Sequence, residues 1–189
     1  MVRKLNKSFS LKDLGSLKYF LGVEVDRTAE GMDLSQGKYI TGLLQRTRME
    51  NCKSLPIPMS TSTKLRKEGG KAFSDNTLYK SVIGGLQYAT LTRPEITYAV
   101  NTLSQYLEAL KQTHWEGCKR ILRYLKGTLN YGLHFTPKRK PGLMYFTDAD
   151  WASDQDDIRS TGGYCIFLGG NLVTWRSKKQ KVLARSSTE

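Results

Sequence analysis

Two carboxylates, Asp148 and Asp150, lie at the end of a stretch with the apolar alternation of a β-strand, and Asp154, Asp156 and Asp157 follow it. Carboxylate oxygens suit Mg²⁺, and metal-assisted cleavage of a phosphodiester needs several carboxylates that converge from different elements. If the strand persists as far as Asp150, that residue is expected to point to the other side of the strand and to have a structural role. Taken alone, the cluster is more typical of a solvated loop.

Positive charge is concentrated in the first three quarters of the chain. Residues 1–140 carry 24 Lys and Arg against 11 Asp and Glu, and residues 141–189 carry six of each. A basic surface with interleaved aromatic side chains favours nucleic acid as the partner, and such binding is non-specific for sequence. Lys119, Arg123 and Lys126 fall on one strip of a predicted helix and are candidate phosphate contacts. The alternative is a basic protein whose charge serves only solubility.

Several functional classes are excluded by what the sequence lacks. The three cysteines are widely spaced and form no Cys-x-x-Cys pair, which argues against a disulfide framework and against a zinc site. No apolar run approaches the ~20 residues that span a bilayer, and no secretory signal follows the basic N-terminus. We therefore expect no membrane partner and a cytoplasmic or nuclear location.

The hydrophobic patterning predicts an α+β fold. The predicted strands cover residues 17–25, 32–34, 143–147, 163–168 and 172–176. The predicted helices cover residues 38–48 and 77–91, a stretch that begins at Pro94, and a stretch that begins at the capping-box pattern Thr113-x-x-Glu116 and ends before Gly127. The last three helices are expected to pack as a small bundle.

Composition divides the chain into three parts joined by two linkers. A β-hairpin and a helix occupy residues 1–58, and a Ser-, Thr-, Lys- and Gly-rich linker follows at 59–76. The helical part covers residues 77–135, and a basic, Pro-containing linker covers 136–142. A final β unit covers residues 143–189.

Several blocks of the chain resemble, in the same order, the Pol polyproteins of copia-type retrotransposons. The blocks are Leu17-Lys-Tyr-Phe-Leu-Gly-Val-Glu24, Tyr79-Lys-Ser-Val-Ile-Gly-Gly-Leu-Gln-Tyr88, Thr92-Arg-Pro-Glu-Ile96, Arg120-Ile-Leu-Arg-Tyr-Leu-Lys-Gly127, Thr147-Asp-Ala-Asp-Trp151, Ser160-Thr-Gly-Gly-Tyr164 and Trp175-Arg-Ser-Lys-Lys-Gln180. The resemblance implies the palm end, primer grip and start of the thumb of a reverse transcriptase in residues 1–58. It implies the helical thumb and connection in 77–135, and the N-terminal part of a truncated ribonuclease H-like domain in 143–189.

The resemblance also implies roles for individual residues. Tyr19, Phe20 and Gly22 would contact the primer strand at the grip, and Asp148 would be the first ribonuclease H metal ligand. The polymerase turn Tyr-x-Asp-Asp is absent, and Arg185-Ser-Ser-Thr-Glu189 matches only the opening of the helix that carries the next metal ligand.

The expected function is that of a fragment of an RNA-directed DNA polymerase and ribonuclease H. We expect it to be catalytically incomplete, with residual binding of RNA–DNA hybrid or duplex. Asp148 would then be a vestigial catalytic residue. Mg²⁺, the cofactor of the family, is expected to bind weakly or not at all, and the remaining Pol segments are expected partners.

Two alternatives stay open. Arg120-Ile-Leu-Arg123 spells the Arg-x-Leu-Arg letters of secreted oomycete effectors, so the chain could be a domesticated or effector-like interaction protein without catalysis. The letters lie in a patterned helix, which favours a helix surface. A compact nuclease would need carboxylates beyond those in the sequence.

Overall fold

The computed structural model describes residues 15–60, 65–137, 142–150 and 159–180. Within them the chain forms two antiparallel sheets and four α-helices, which confirms the α+β class. The strands are β1 Tyr19–Phe20, β2 Val23–Arg27, β3 Met32–Ser35, β4 Gly132–Phe135, β5 Leu143–Asp150, β6 Thr161–Leu168 and β7 Asn171–Lys179. The helices are α1 Gly37–Arg46, α2 Asn76–Ala89, α3 Thr97–Ser104 and α4 Gln112–Gly127, with a 3₁₀ turn at Pro94–Ile96 before α3. None of the described helices is long and apolar enough to cross a bilayer.

The strand predicted over residues 17–25 is wrong, because the chain reverses direction within it. β1 and β2 pair antiparallel, with Phe20 opposite Val23, and a two-residue turn at Leu21 and Gly22 joins them. Both turn residues have positive φ, 46° and 76°, as in the hairpin turns that match strand twist. A leucine at such a position is uncommon, so the turn has no clear sequence signature.

The first sheet has the order β1-β2-β3-β4, and its last strand was not predicted. Residues 132–135 had been assigned to the helical part, but they pair with β3 in the register Leu34 to Leu133 and Ser35 to Gly132. A Cβ at Gly132 would lie 2.1 Å from the carbonyl oxygen of Leu34. The close backbone approach therefore requires glycine, and it returns the chain to the N-terminal hairpin after α4.

The four helices share one hydrophobic core. Its fully buried side chains include Ile40 and Leu43 of α1, Leu86 of α2 and Ile121 and Leu125 of α4. The predicted linker over 59–76 also contributes to the core. Leu65 is buried, and Phe73 stacks on Trp115 with 5.1 Å between the ring centroids. The domain boundaries themselves stay predictions.

The start of α4 differs from the predicted capping box. The helix begins at Gln112, and the backbone N–H of Lys111 donates to Nδ1 of His114 at 3.1 Å. Because His114 performs the backbone capping, Thr113 and Glu116 are left on the exposed side of the first turn. The helix was predicted to end before Gly127, and it ends one residue later, with Gly127 as its last residue.

The second sheet has the order β5-β6-β7, and its three strands were all predicted. Asn171 links it to the end of β4: Oδ1 accepts the Thr136 N–H at 2.8 Å, and Nδ2 donates to the Thr136 carbonyl at 2.9 Å. β5 lies at an edge of this sheet, and its apolar residues Leu143, Tyr145 and Phe146 are exposed. The sheet therefore has an apolar surface that the described residues leave open.

Candidate nucleic-acid interface

The turn between β1 and β2 holds three large side chains in solvent. Tyr19, Phe20 and Leu21 are 52%, 59% and 69% exposed, although burying an aromatic or leucine side chain stabilises a fold by roughly 1.5–3 kcal/mol. We call Tyr19, Phe20, Leu21 and Gly22 the hairpin tip. Such a set of exposed apolar groups is typical of a binding surface.

The hairpin tip is anchored by α2. The hydroxyl of Tyr88 donates a hydrogen bond to the Leu21 carbonyl, and a Cβ at Gly22 would lie 3.3 Å from the Tyr88 ring. The ring of Tyr39, on α1, packs against the Tyr88 ring with 5.0 Å between the centroids. The Tyr39 hydroxyl donates to the Gly85 carbonyl at 3.1 Å. These contacts hold the left-handed backbone of the turn in place.

One cation accompanies the hairpin tip. The ammonium of Lys38 lies 5.6 Å from the centroid of the Tyr19 ring, within the range of a cation–π contact. The backbone N–H of Lys38 donates to Glu24 at 2.8 Å, which fixes the start of α1 beside β2. The tip therefore combines aromatic faces with a positive charge, a combination that suits bases and phosphates.

The basic strip of α4 is present, but its members differ in role. Lys119, Arg123 and Lys126 are each half-buried on α4. Arg123 Nε donates to the Lys53 carbonyl at 2.6 Å, so this guanidinium ties the segment after α1 to the helix. Lys119 and Arg123 line a common groove, and Lys126 is not among its lining residues. Within the described ranges, no hydrogen bond or ion pair joins the strip to the hairpin tip.

Asp148 lies on β5 opposite Gly163 and is exposed. Its Oδ1 accepts the N–H of Ala149 at 2.9 Å. Asp150 was expected on the other side of the strand, and that expectation is wrong: β5 continues to Asp150, and residues two apart in a strand share a face. Its structural role is supported, because Oδ1 of Asp150 accepts the Thr161 N–H and closes the β5–β6 pair.

Asp148 and Asp150 are the two carboxylates on this face of β5, and each accepts one backbone hydrogen bond through its Oδ1. Mg²⁺ takes six oxygen ligands in near-ideal octahedral geometry. Among the described residues, no three His, Cys, Asp or Glu side chains cluster closely enough to hold a metal. The aspartates at 154, 156 and 157 and the segment 185–189 lie outside the described residues.

Cysteine chemistry is blocked at the one thiol in the core. Cys118 is fully buried beside Tyr79, and burial raises the pKa of the Cys118 thiol to about 12. Only the thiolate attacks electrophiles or binds metals, so Cys118 is a packing residue at neutral pH.

The sequence analysis did not identify three residues that contribute to the candidate interface. Tyr88 anchors a turn 67 residues away in the chain, and no local pattern indicates that contact. Nothing in the sequence indicates a turn at Leu21, because leucine rarely adopts positive φ. Arg120 lines the groove with Lys119 and Arg123. Its spacing of three residues from Arg123 was the available signal, since such residues neighbour each other on a helix.

The comparisons with known proteins agree on one family. Residues 1–61 match the family model described as reverse transcriptase (RNA-dependent DNA polymerase). The chain is 45% identical over 185 residues to the retrovirus-related Pol polyprotein from transposon RE2 of Arabidopsis thaliana, which covers 98% of this chain. The chain belongs to the copia-type retrotransposon Pol family. This Pol segment spans 13% of the length of the RE2 polyprotein.

Shorter relatives of the Pol segment also exist. An uncharacterized mitochondrial protein of Arabidopsis thaliana is 40% identical over 191 residues, covering 100% of this chain and 78% of that protein. A secreted RxLR effector protein of Plasmopara viticola is 47% identical over 115 residues, covering 60% of this chain and 81% of that protein. No solved structure matches.

The Arg-x-Leu-Arg letters have a structural explanation in this Pol segment. They lie in the middle of α4, where Leu122 is fully buried in the core and Arg123 holds the segment after α1. The letters therefore mark one helix surface. Membership of the Pol family does not favour the interaction-protein alternative.

Proposed function

We propose that this Pol segment binds the RNA–DNA hybrid or duplex on which a reverse transcriptase works, without preference for sequence. The observation that carries the proposal is the hairpin tip, which lies inside the region that matches the reverse transcriptase family. Exposed aromatic faces stack on bases and sugars of any sequence. The turn supports them rigidly, as a grip on a primer strand requires.

The basic strip of α4 supplies the second part of the proposed binding surface. Lys119, Arg123 and Lys126 present their charges along one side of the helix, in the part of the chain that carries the whole positive excess. Cations of this kind bind phosphates and release counterions, so affinity depends strongly on salt and little on sequence. In the parent polyprotein, residues 1–135 would then act as palm end, primer grip and thumb.

Binding of a labelled hybrid tests the contribution of the hairpin tip. Base–aromatic stacking is worth about 1–3 kcal/mol, so Phe20→Ala should weaken the affinity for a fluorescein-labelled RNA–DNA hybrid about tenfold in an anisotropy titration. Tyr98→Ala is the matched control, because Tyr98 is similarly exposed, at 47%, on α3. An equal loss in both variants, or no binding by the unmodified chain, would contradict the proposed function.

For catalysis, we propose that the 189-residue chain is inactive on its own and depends on further Pol segments. Two-metal hydrolysis needs several carboxylates closing on one phosphate, and Asp148 is the one residue here that matches a family ligand. We expect neither Mg²⁺-dependent cleavage of the RNA in a hybrid nor extension of a primer. Robust cleavage that disappears in Asp148→Asn would overturn this part and indicate a compact nuclease.

A further inference from the structure

A groove runs between α4 and the segment that follows α1. It encloses about 390 Å³, within the size range of small-ligand sites. Its lining residues are Met49, Leu55, Thr113, Glu116, Gly117, Lys119, Arg120 and Arg123. We call it the α4 groove. It has one apolar wall, from Met49 and Leu55, and one charged wall, from the helix.

The two walls are fixed to each other. Arg123 makes two hydrogen bonds to this segment, one from its side chain and one through its backbone. Its Nε donates to the Lys53 carbonyl at 2.6 Å, and its backbone carbonyl accepts the Leu55 N–H at 3.3 Å. At the end of α4, a Cβ at Gly127 would lie 2.9 Å from the Cβ of Ser54. The segment therefore packs tightly on the helix, and the α4 groove exists before any ligand arrives.

Arg120 lines this groove, and one of its donors is unsatisfied. Its Nε is buried and has no hydrogen-bond partner among the described residues. Buried donors nearly always have a hydrogen-bond partner, and a buried donor without one costs about 1–3 kcal/mol. Within the described ranges, neither Lys119 nor Arg120 lies within 4.0 Å of a carboxylate oxygen, Glu116 included. Among the described residues, the cations of the groove therefore lack an anionic partner.

The charges of the lining residues identify the acceptor. Three cations and one carboxylate give the α4 groove an excess of two positive charges. A guanidinium offers donors in a planar fork that matches two phosphate oxygens, whereas an ammonium binds as a point charge. Glu116 lies one turn before Arg120 and repels anions from that end.

We propose that the α4 groove seats a backbone phosphate of the bound nucleic acid, with Arg120 as its principal donor. Lys119 adds a second charge, and Arg123 acts as a positioning residue that holds the opposite wall. This inference rests on the proposed nucleic-acid binding. It adds the residue and the groove that bind the phosphate, which the basic strip alone does not identify. The carboxylate of Glu116 limits the affinity.

Titration of a labelled RNA–DNA hybrid with four variants of the 189-residue chain tests the inference. Arg120→Ala should weaken binding about tenfold and reduce the salt slope by about one. Arg120→Lys should recover only part of that loss, and Glu116→Gln should strengthen binding severalfold. Lys126→Ala is the control, because it removes one positive charge from the same helix outside the α4 groove. Its affinity for the hybrid should fall by at most a third of the factor seen in Arg120→Ala.

The outcomes separate this inference from the proposed function. If the unmodified chain binds hybrid but Arg120→Ala and Lys126→Ala lose equally, the α4 groove is not the phosphate site, while the general binding proposal stands. If the unmodified chain does not bind hybrid, both proposals fail. If Arg120→Ala does not fold, Arg120→Lys and Glu116→Gln still test the inference. Unchanged affinity for the hybrid in both of these variants would overturn it.

A spectroscopic measurement identifies the source of the phosphate. The ¹⁵N–¹H signal of Arg120 Nε, assigned by its loss in Arg120→Lys, should shift on addition of a short hybrid. Adenosine monophosphate at millimolar concentration should shift it less. A signal that moves with the mononucleotide and not with hybrid would overturn the assignment to a nucleic-acid backbone.

Discussion

At the scale of single residues, Arg93 is a full positive charge within the core. It is almost completely buried, and its guanidinium bonds Glu95 at 2.6 Å and both the carbonyl and the hydroxyl of Thr128. The rings of Tyr124 and Tyr131 each lie 5.6 Å from it. Arg93 thereby links the turn before α3 to the end of α4, where the chain heads into β4.

Truncation of Arg93 should be costly, since it leaves the oxygens of Glu95 and Thr128 without their buried partner. We expect Arg93→Ala to lower the free energy of unfolding by about 3 kcal/mol, measured by urea denaturation. Lys80→Ala, which removes a cation from the exposed side of α2, should change it by less than about 0.5 kcal/mol. Similar values for the two variants would contradict the role assigned to Arg93.

Tyr88 supports function through the hairpin tip. Tyr88→Phe keeps the ring but removes the donor to the Leu21 carbonyl, so the left-handed turn should lose its anchor. We expect a loss of about 1 kcal/mol in stability and a severalfold weaker affinity for the hybrid. Tyr98→Phe is the control. Unchanged affinity in Tyr88→Phe would mean that the tip needs no anchor or takes no part in binding.

At the scale of elements, patterning predicted most helices and strands, and the failure at β4 has a physical cause. The helices and β5, β6 and β7 were identified because their apolar periodicity extends over enough residues. β4 has four residues, of which only Leu133 is buried, and its partner β3 lies about one hundred residues earlier. A strand specified by a distant partner has little local signal, and the same holds for the contact of Tyr88 with Leu21.

The pairing of β3 with β4 gives a prediction at this scale. Gly132→Ala would place a methyl group against the Leu34 carbonyl, and the strands would have to separate. We expect a loss of about 2 kcal/mol or more in the free energy of unfolding. Gly142→Ala is the matched control, because a Cβ there meets nothing within 4 Å. Equal stability of the two variants would show that β4 does not pair as described.

The candidate site was only partly predictable from sequence. Lys119 and Arg123 were predicted from charge and helical spacing, which are properties of local pattern, whereas Tyr19 and Phe20 were predicted only from the family resemblance. The side of the strand that carries Asp150 was assigned wrongly, since residues two apart in a strand share a face. Arg120 was overlooked because only the packing of the segment after α1 turns a helix surface into a groove.

At the scale of the whole molecule, one core joins the four helices, and the hydrogen bond from Tyr88 to the Leu21 carbonyl attaches the hairpin to them. The proposed binding residues occupy the surface of that unit, on the hairpin tip and on α4. The second sheet carries Asp148 and belongs to residues 141–189, the part of the sequence whose charge is balanced. Hybrid binding should therefore depend on the tip and α4, with little contribution from the second sheet.

The salt dependence of hybrid affinity tests the central claim, that this Pol segment binds nucleic acid through phosphate contacts on its basic surface. Each neutralised phosphate contributes about −0.9 to the slope of log affinity against log salt. Phosphate contacts from Lys119, Arg120 and Lys126 therefore predict a slope of about −3 for the unmodified chain, equal for unrelated sequences. A slope near zero, or an affinity that changes with sequence more than with salt, would contradict the account.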